Sequence, residues 1–469
     1  NTTGAQNVAV GALALDANTT ADNNTALGYN SLTANTTGEQ NTAVGSLALD
    51  ANTTASFNTA IGYASLSANT TGTQNVAIGV LTLDANTTGN SNVGMGVNCL
   101  TDNTTGSNNI GVGREALFVN STGGSNVAVG YRSLQANTTA SSNTAVGTDT
   151  LKANTTGTNN VAVGGDALDA NTTGNQNTGI GRNALGSNTT GVNNTAVGFN
   201  SQAATTTGYP NTSLGSGSLD NNTEGTNNTA IGFDCLDANV SSSNNTGVGH
   251  RCLTSNTSGA ANTALGSEAL TSNTTADSNT GIGYQSLQAN TTGTDNTAVG
   301  RGALYGQGTG SRNTAVGRDA LFGTGNSLNN TAVGHDCLKN NTGDNNTAVG
   351  ESALEANTTG TSNVAVGDAA LDANTTSSNN TAVGSAALGS NTTGTSNTAL
   401  GQAAATSVTT ANDITAIGKS SLLLNTTGLG NTAVGSACLR NNVTGNYSTV
   451  MGVNTLTANT GTGNSALGA

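Results

Sequence analysis

The chain has 469 residues, a formal charge of −14, 65 glycines, a single proline (Pro210), no tryptophan, 3% aromatic and 8% charged residues. Globular chains carry about 25% charged residues. So few large side chains exclude a thick core, and the acidic balance excludes the Lys/Arg stripe that nucleic-acid binding requires. A strict internal period argues against disorder, which in polar chains goes with high charge and no fixed repeat.

A 17-residue period reads Asn-Thr-Ala-Val-Gly-x-x-Ala-Leu-x-Ala-Asn-Thr-Thr-Gly-x-x, with positions numbered 1 to 17. Units start at Asn7, Asn24, Asn41 and once per period to Asn330, then at Asn346, Asn363, Asn380, Asn397, Ile414, Asn431, Ser448 and Asn464. These 28 starts make residues 1–469 one continuous array in which no capping coil is recognised. It reads as part of a longer array or as a subunit that stacks end to end. The units from Asn330 and Ser448 are each one residue short, and both deletions fall between positions 13 and 17. Early units alternate between Leu-x-Leu-Asp (Leu13 to Asp16) and Gly-Tyr-x-Ser-Leu, which suggests duplication of a 34-residue pair.

Within a coil, position 1 is Asn in 26 of 28 units and position 12 is Asn in 23 of 27, so each is under a structural constraint. Stacked identical amides hydrogen-bond up and down an in-register stack. This predicts two ladders, one running through Asn7, Asn24 and Asn41, the other through Asn18, Asn35 and Asn52. Two short apolar runs, positions 2–5 and 8–11, predict two strands per coil. The fold class is therefore all-β, a parallel β-solenoid (β-roll or β-helix) of about 28 coils, roughly 130 Å long at about 4.8 Å per coil.

Successive strand residues alternate faces, and the bulk sits at positions 4 and 9. The expected core is thus Val44, Val146 and Val316 with Leu15, Leu49 and Leu236. Glycine at positions 5 and 15 fits corners needing positive φ or close backbone approach. Positions 3 and 8 should face the other way, yet they stay small and uncharged. All five cysteines (Cys99, Cys235, Cys252, Cys337, Cys438) fall at position 8, and free cysteine is among the most buried residue types. This predicts a packed small face, buried against another copy of the chain. A flat coil whose two walls nearly touch is the rival account.

Candidate chemistry is sparse. The two histidines lie in His250-Arg251-Cys252 and His335-Asp336-Cys337, five coils apart, too far to share the three or four ligands of a metal site. Neighbouring position-10 carboxylates, Asp220/Asp237 and Glu355/Asp372, lack a calcium-repeat signature and read as solvated. Cys235 and Cys252 are one coil apart, a spacing that a disulfide permits, although in-register side chains rarely reach its dihedral; stacked free thiols are expected. No catalytic set, phosphate loop or dinucleotide fingerprint occurs, so no enzyme activity, cofactor or metal is expected. Asn-x-Ser/Thr sequons such as Asn18-Thr-Thr20 and Asn23-Asn24-Thr25 follow from the period alone. No run of 18 apolar residues suggests membrane insertion.

Segments such as Asn41-Thr-Ala-Val-Gly45 with Asn52-Thr-Thr54 resemble repeats of phage tail fibres and large bacterial surface proteins. They are also similar to the coils of trimeric autotransporter adhesin heads, although those coils are shorter than the period here. The resemblance covers the whole chain and implies a β-roll, three chains side by side, and attachment to a surface. The expected function is a rigid fibre or filament shaft, extracellular, on a cell surface or on a virion, built from homo-oligomers (most simply trimers) or end-to-end polymers. One alternative is an adhesin that binds a glycan or host receptor through positions 6, 7 and 10, where Tyr29, Tyr63, Tyr131, Phe199, Phe233 and Tyr284 lie. A minor alternative is ice binding, from the recurrent threonines at positions 2, 13 and 14.

Overall fold

A computed structural model describes residues 3–323, 325–458 and 461–468; Asn1 and Ala469 lie outside them. The chain divides into two units, Asn1–Asp234 and Cys235–Ala469. Both are all-β parallel β-solenoids, and no helix occurs among the described residues. Each coil contributes one three-residue strand, positions 2 to 4. These run from Val8–Val10 to Thr229–Ile231 in the first unit and from Thr246–Val248 to Ser465–Leu467 in the second. Most strands begin with threonine or valine and end with valine or isoleucine, as the pleated surface favours. Within each unit consecutive strands pair in parallel and in register: Thr42 with Thr59, Ala43 with Ala60 and Val44 with Ile61, for example.

Positions 8–11 do not form the expected second strand. Their backbone still bonds coil to coil, Leu32 N–H to the Ala48 carbonyl at 3.0 Å and Ala34 N–H to the Asp50 carbonyl at 3.1 Å. Positions 7 and 9, however, are left-handed: Asn30 has φ 54° and Leu32 φ 51°, Leu47 φ 60° and Leu49 φ 52°. Two left-handed residues interrupt the pleat, so the side chains at 8 and 9 both turn inward instead of alternating.

The strand faces are also the reverse of those expected. Ala26, Ala43 and Ala60 at position 3 are wholly buried, whereas at position 4 Val146 and Val316 are each 37% exposed and Val44 is half-buried. These three valines are therefore not core residues. The interior leaves little room for them: it is filled by the position-9 leucines, including Leu15, Leu49 and Leu236, with Ala, Gly or Ser at position 3 in every described strand but the one that holds Val450. All five cysteines are buried inside their own coils, not on a face awaiting a second copy. The small residues at 3 and 8 thus have a cause within one chain.

The fit between these two positions is tight. A Cβ on Gly111 would lie 2.5 Å from Cys99 Sγ, and one on Gly247 would lie 2.5 Å from Cys235 Sγ and 3.1 Å from Cys252 Sγ. A larger residue at position 8 is matched there by glycine at position 3. Cys337 and Cys438 meet Ala348 and Val450 instead, with their thiols turned to those residues' carbonyls at 3.2 and 3.3 Å. At position 5, from Gly11 to Gly452, glycine φ lies between +122° and +146°, and a Cβ on Gly45 would collide with the Gly62 carbonyl of the next coil. Both demands exclude every other residue.

In the coil from Asn330 the missing residue is absorbed in the turn. Asn341 Nδ2 reaches the Gly343 carbonyl, two residues on, at 2.7 Å, and Asn330 Nδ2 shares that acceptor at 3.0 Å. The deletion in the coil from Ser448 falls by residues 459–460, outside the described residues.

Candidate functional site

The repeated turn between positions 12 and 1 is where the polar side chains of the array converge. At position 12, Asn52 Nδ2 donates to Asn35 Oδ1 of the preceding coil at 3.0 Å and to the Ala55 carbonyl of its own coil at 3.0 Å. Asn35 Nδ2 donates in turn to Asn18 Oδ1 at 3.2 Å. At position 1, both the backbone N–H and Nδ2 of Asn41 donate to Asn24 Oδ1, at 2.9 and 3.2 Å. Nδ2 also reaches the Ala55 carbonyl at 2.9 Å. Asn24 N–H repeats the pattern on Asn7 Oδ1 at 2.9 Å. The position-15 carbonyl receives both ladders and ties them together across the turn.

A third ladder was not expected from the sequence. The Thr36 hydroxyl donates to the Thr53 carbonyl at 3.0 Å, Thr53 to Thr70 at 3.3 Å and Thr70 to Thr87 at 3.1 Å. The recurrence of threonine at position 13 carried the signal; its partner, a backbone carbonyl one period on, did not show in the residues.

Interruptions show what each ladder side chain contributes. Thr205, Gln307 and Val408 replace asparagine at position 12, and Oδ1 of the preceding asparagine (Asn188, Asn290 and Asn391) is left without a donor. Position 1 is more tolerant. Where Ile414 replaces asparagine, its backbone N–H still donates to Asn397 Oδ1 at 3.0 Å. Gln202, in place of the core leucine, bonds the Thr195 carbonyl at 3.0 Å and Ser213 Oγ at 2.9 Å, and Ser213 Oγ meets Ser201 Oγ. This polar patch is a local replacement for one leucine.

The other candidates are scattered. His335 lies 3.6 Å from Asp336 and 3.8 Å from Glu351, while Cys337 of the same tripeptide is turned into the coil. Cys252 is likewise interior, and His250 is on the surface. Among the described residues no three His, Cys, Asp or Glu side chains converge as a metal site would need. Cys235 and Cys252 form no disulfide, and their Sγ atoms lie 2.7 Å apart. Burial pushes the Cys99 and Cys337 thiols up to about 12. At position 10, burial raises the pKa values of Asp50, Asp84, Asp169, Asp220 and Asp372.

Charges at position 7 pair along the stack, Arg132 Nε with Asp149 Oδ1 at 2.9 Å; the Arg132 guanidinium also lies 4.5 Å from the Tyr131 ring centroid. Sequon Asn18 is buried in its ladder, whereas Asn23 is exposed. No helix of the described residues is long and apolar enough to cross a membrane. The chain matches no protein-family model and no curated protein. Fold and ladders together define a class: a parallel β-solenoid repeat protein with asparagine ladders.

Proposed function

We propose that this chain is a structural protein, the rigid shaft of an extracellular or virion-associated fibre, acting with copies of itself. The observation that carries this reading is the direction of the hydrogen bonds. Along much of the array asparagine, threonine and backbone donors of one coil reach acceptors in its neighbours. Such stacking favours a body that is strong along its stack and gains stability with every added unit. The likeness of Asn41–Gly45 to phage-fibre and adhesin-head repeats supports the same reading, and a trimer is the assembly that likeness favours.

Labelling with an antibody against the chain, viewed by electron microscopy of native cells or virions, tests it. Label distributed along appendages supports the shaft. Label confined to the cell interior overturns it.

A second reading, adhesion to a glycan or surface receptor, is favoured by exposed aromatic rings at position 6. Tyr29 and Tyr63 are 55% and 52% exposed, and Phe199 is 52% exposed. Such rings offer stacking faces for sugars or apolar side chains. Glycan-array binding lost on Tyr29→Ala and Tyr63→Ala supports it, and an array without signal removes it.

A further inference from the structure

We infer that the outer face of the strands, formed by positions 2 and 4, is the surface on which a second copy of this chain packs. The inference rests on the shaft reading and moves the contact away from positions 3 and 8, whose small residues serve the coil interior. Position 4 is Val, Ile, Leu or Met in every coil although it points outward. Strand propensity alone does not explain this. Val and Ile are β-branched and suit strands on any face, but Leu27, Leu214 and Leu265 hold the same position with 46%, 49% and 46% exposure. What is retained is apolarity, where threonine or glutamine would serve a solvated strand equally well. One turn away, position 6 accepts Arg114, Arg182, Glu351 and Lys419.

Charge selects the same face. Two copies of a chain carrying −14 repel, and they approach most closely where no carboxylate stands. Positions 1 to 5 carry no charged residue anywhere in the array. The area is sufficient as well. Fourteen strands of three residues, as in the first unit, present about 670 Å² at about 4.8 Å per strand and about 3.3 Å per residue. Two such faces bury about 1,300 Å², within the range of specific interfaces. Position 4 is apolar in all fourteen of these strands, and position 2 adds Val or Ile in six and threonine in eight; a continuous exposed apolar row of this kind is itself unusual.

The test uses the full chain with Val146→Lys, Val163→Lys and Ile180→Lys combined. These side chains are 37%, 36% and 39% exposed, so the coils should keep their circular dichroism. The control places lysine at Thr37, Thr54 and Thr71, exposed residues of the opposite turn. Light scattering should give a multiple of 45.5 kDa for the parent and the control, and a shift toward 45.5 kDa for the strand variant. A monomeric parent overturns the inference, as does a strand variant of unchanged mass. A monomeric parent with thermal hysteresis, or with binding to phosphatidylcholine vesicles, that the strand lysines abolish would overturn it in favour of ice or a lipid surface. Electron microscopy separates the two readings. Filaments that persist in the strand variant keep the shaft and remove this face. Mass loss in the variant, with no filaments from the parent, keeps the face and removes the shaft.

Discussion

At the scale of single residues, the asparagines show how a polar side chain serves as core. Asn137 donates to Asn120 Oδ1 at 2.7 Å and to the Ala140 carbonyl at 3.0 Å, and it accepts from Asn154 Nδ2 at 3.1 Å. Leaving buried partners unsatisfied costs more than the bonds themselves contribute. Asn137→Ala should therefore lower stability by about 3 kcal/mol, read by chemical denaturation. Gln307→Asn should do the reverse, by about 1 kcal/mol, because it supplies a donor to the orphaned Asn290 Oδ1. An unchanged midpoint in both would show that the ladders are incidental.

The position-10 carboxylates make a prediction about pH. Burial raises Asp84 above its ordinary value, and the Asp102 carboxylate adds to the effect against opposing backbone hydrogen bonds. A carboxyl group whose folded pKa is raised binds protons more readily folded than unfolded. Its ionisation penalty is fully present above the folded value and vanishes below the unfolded value of about 3.9. This contribution therefore makes the protein more stable as pH falls through that window. Asp84→Asn should melt higher than the parent at about pH 7 and show a smaller gain on going to about pH 4. A larger gain in the variant would contradict the assignment.

At the scale of the element, the repeat period, the ladders, the position-5 corner and the interior leucine were all legible in the sequence. Each is a residue type whose chemistry fits one environment. The two faces of the strand were not. Bulk at position 4 reads as core, and small residues at position 3 read as a contact with something outside. The inversion follows from left-handed backbone at positions 7 and 9, where Asn30, Leu32, Asp149 and Leu151 have φ between 50° and 54°. Asparagine and aspartate tolerate that conformation, but leucine gives no sign of it. Once position 9 is turned inward beside position 8, the volume left opposite favours alanine or glycine, with Ser213 and Val450 the exceptions among the described strands.

The corrected facing separates two neighbours. Ala145→Leu should cost about 1–3 kcal/mol through overpacking, while Val146→Thr should change stability by less than about 0.5 kcal/mol. Equal effects, or the opposite order, would restore the original assignment.

At the scale of the whole molecule, one coil is too poor in apolar side chains to hold itself. Its stability is shared with its neighbours as in other one-dimensional arrays. That economy explains the composition. Hydrogen bonds along the stack take the place of a thick core, so large side chains are left for the outside, where the strand face and the position-6 rings carry them. The most direct measurement is diffraction from aligned assemblies of the full chain. Stacked coils predict a sharp reflection at about 4.8 Å along the filament axis. A reflection of that spacing perpendicular to the axis, or a specimen that yields none, would contradict the shaft.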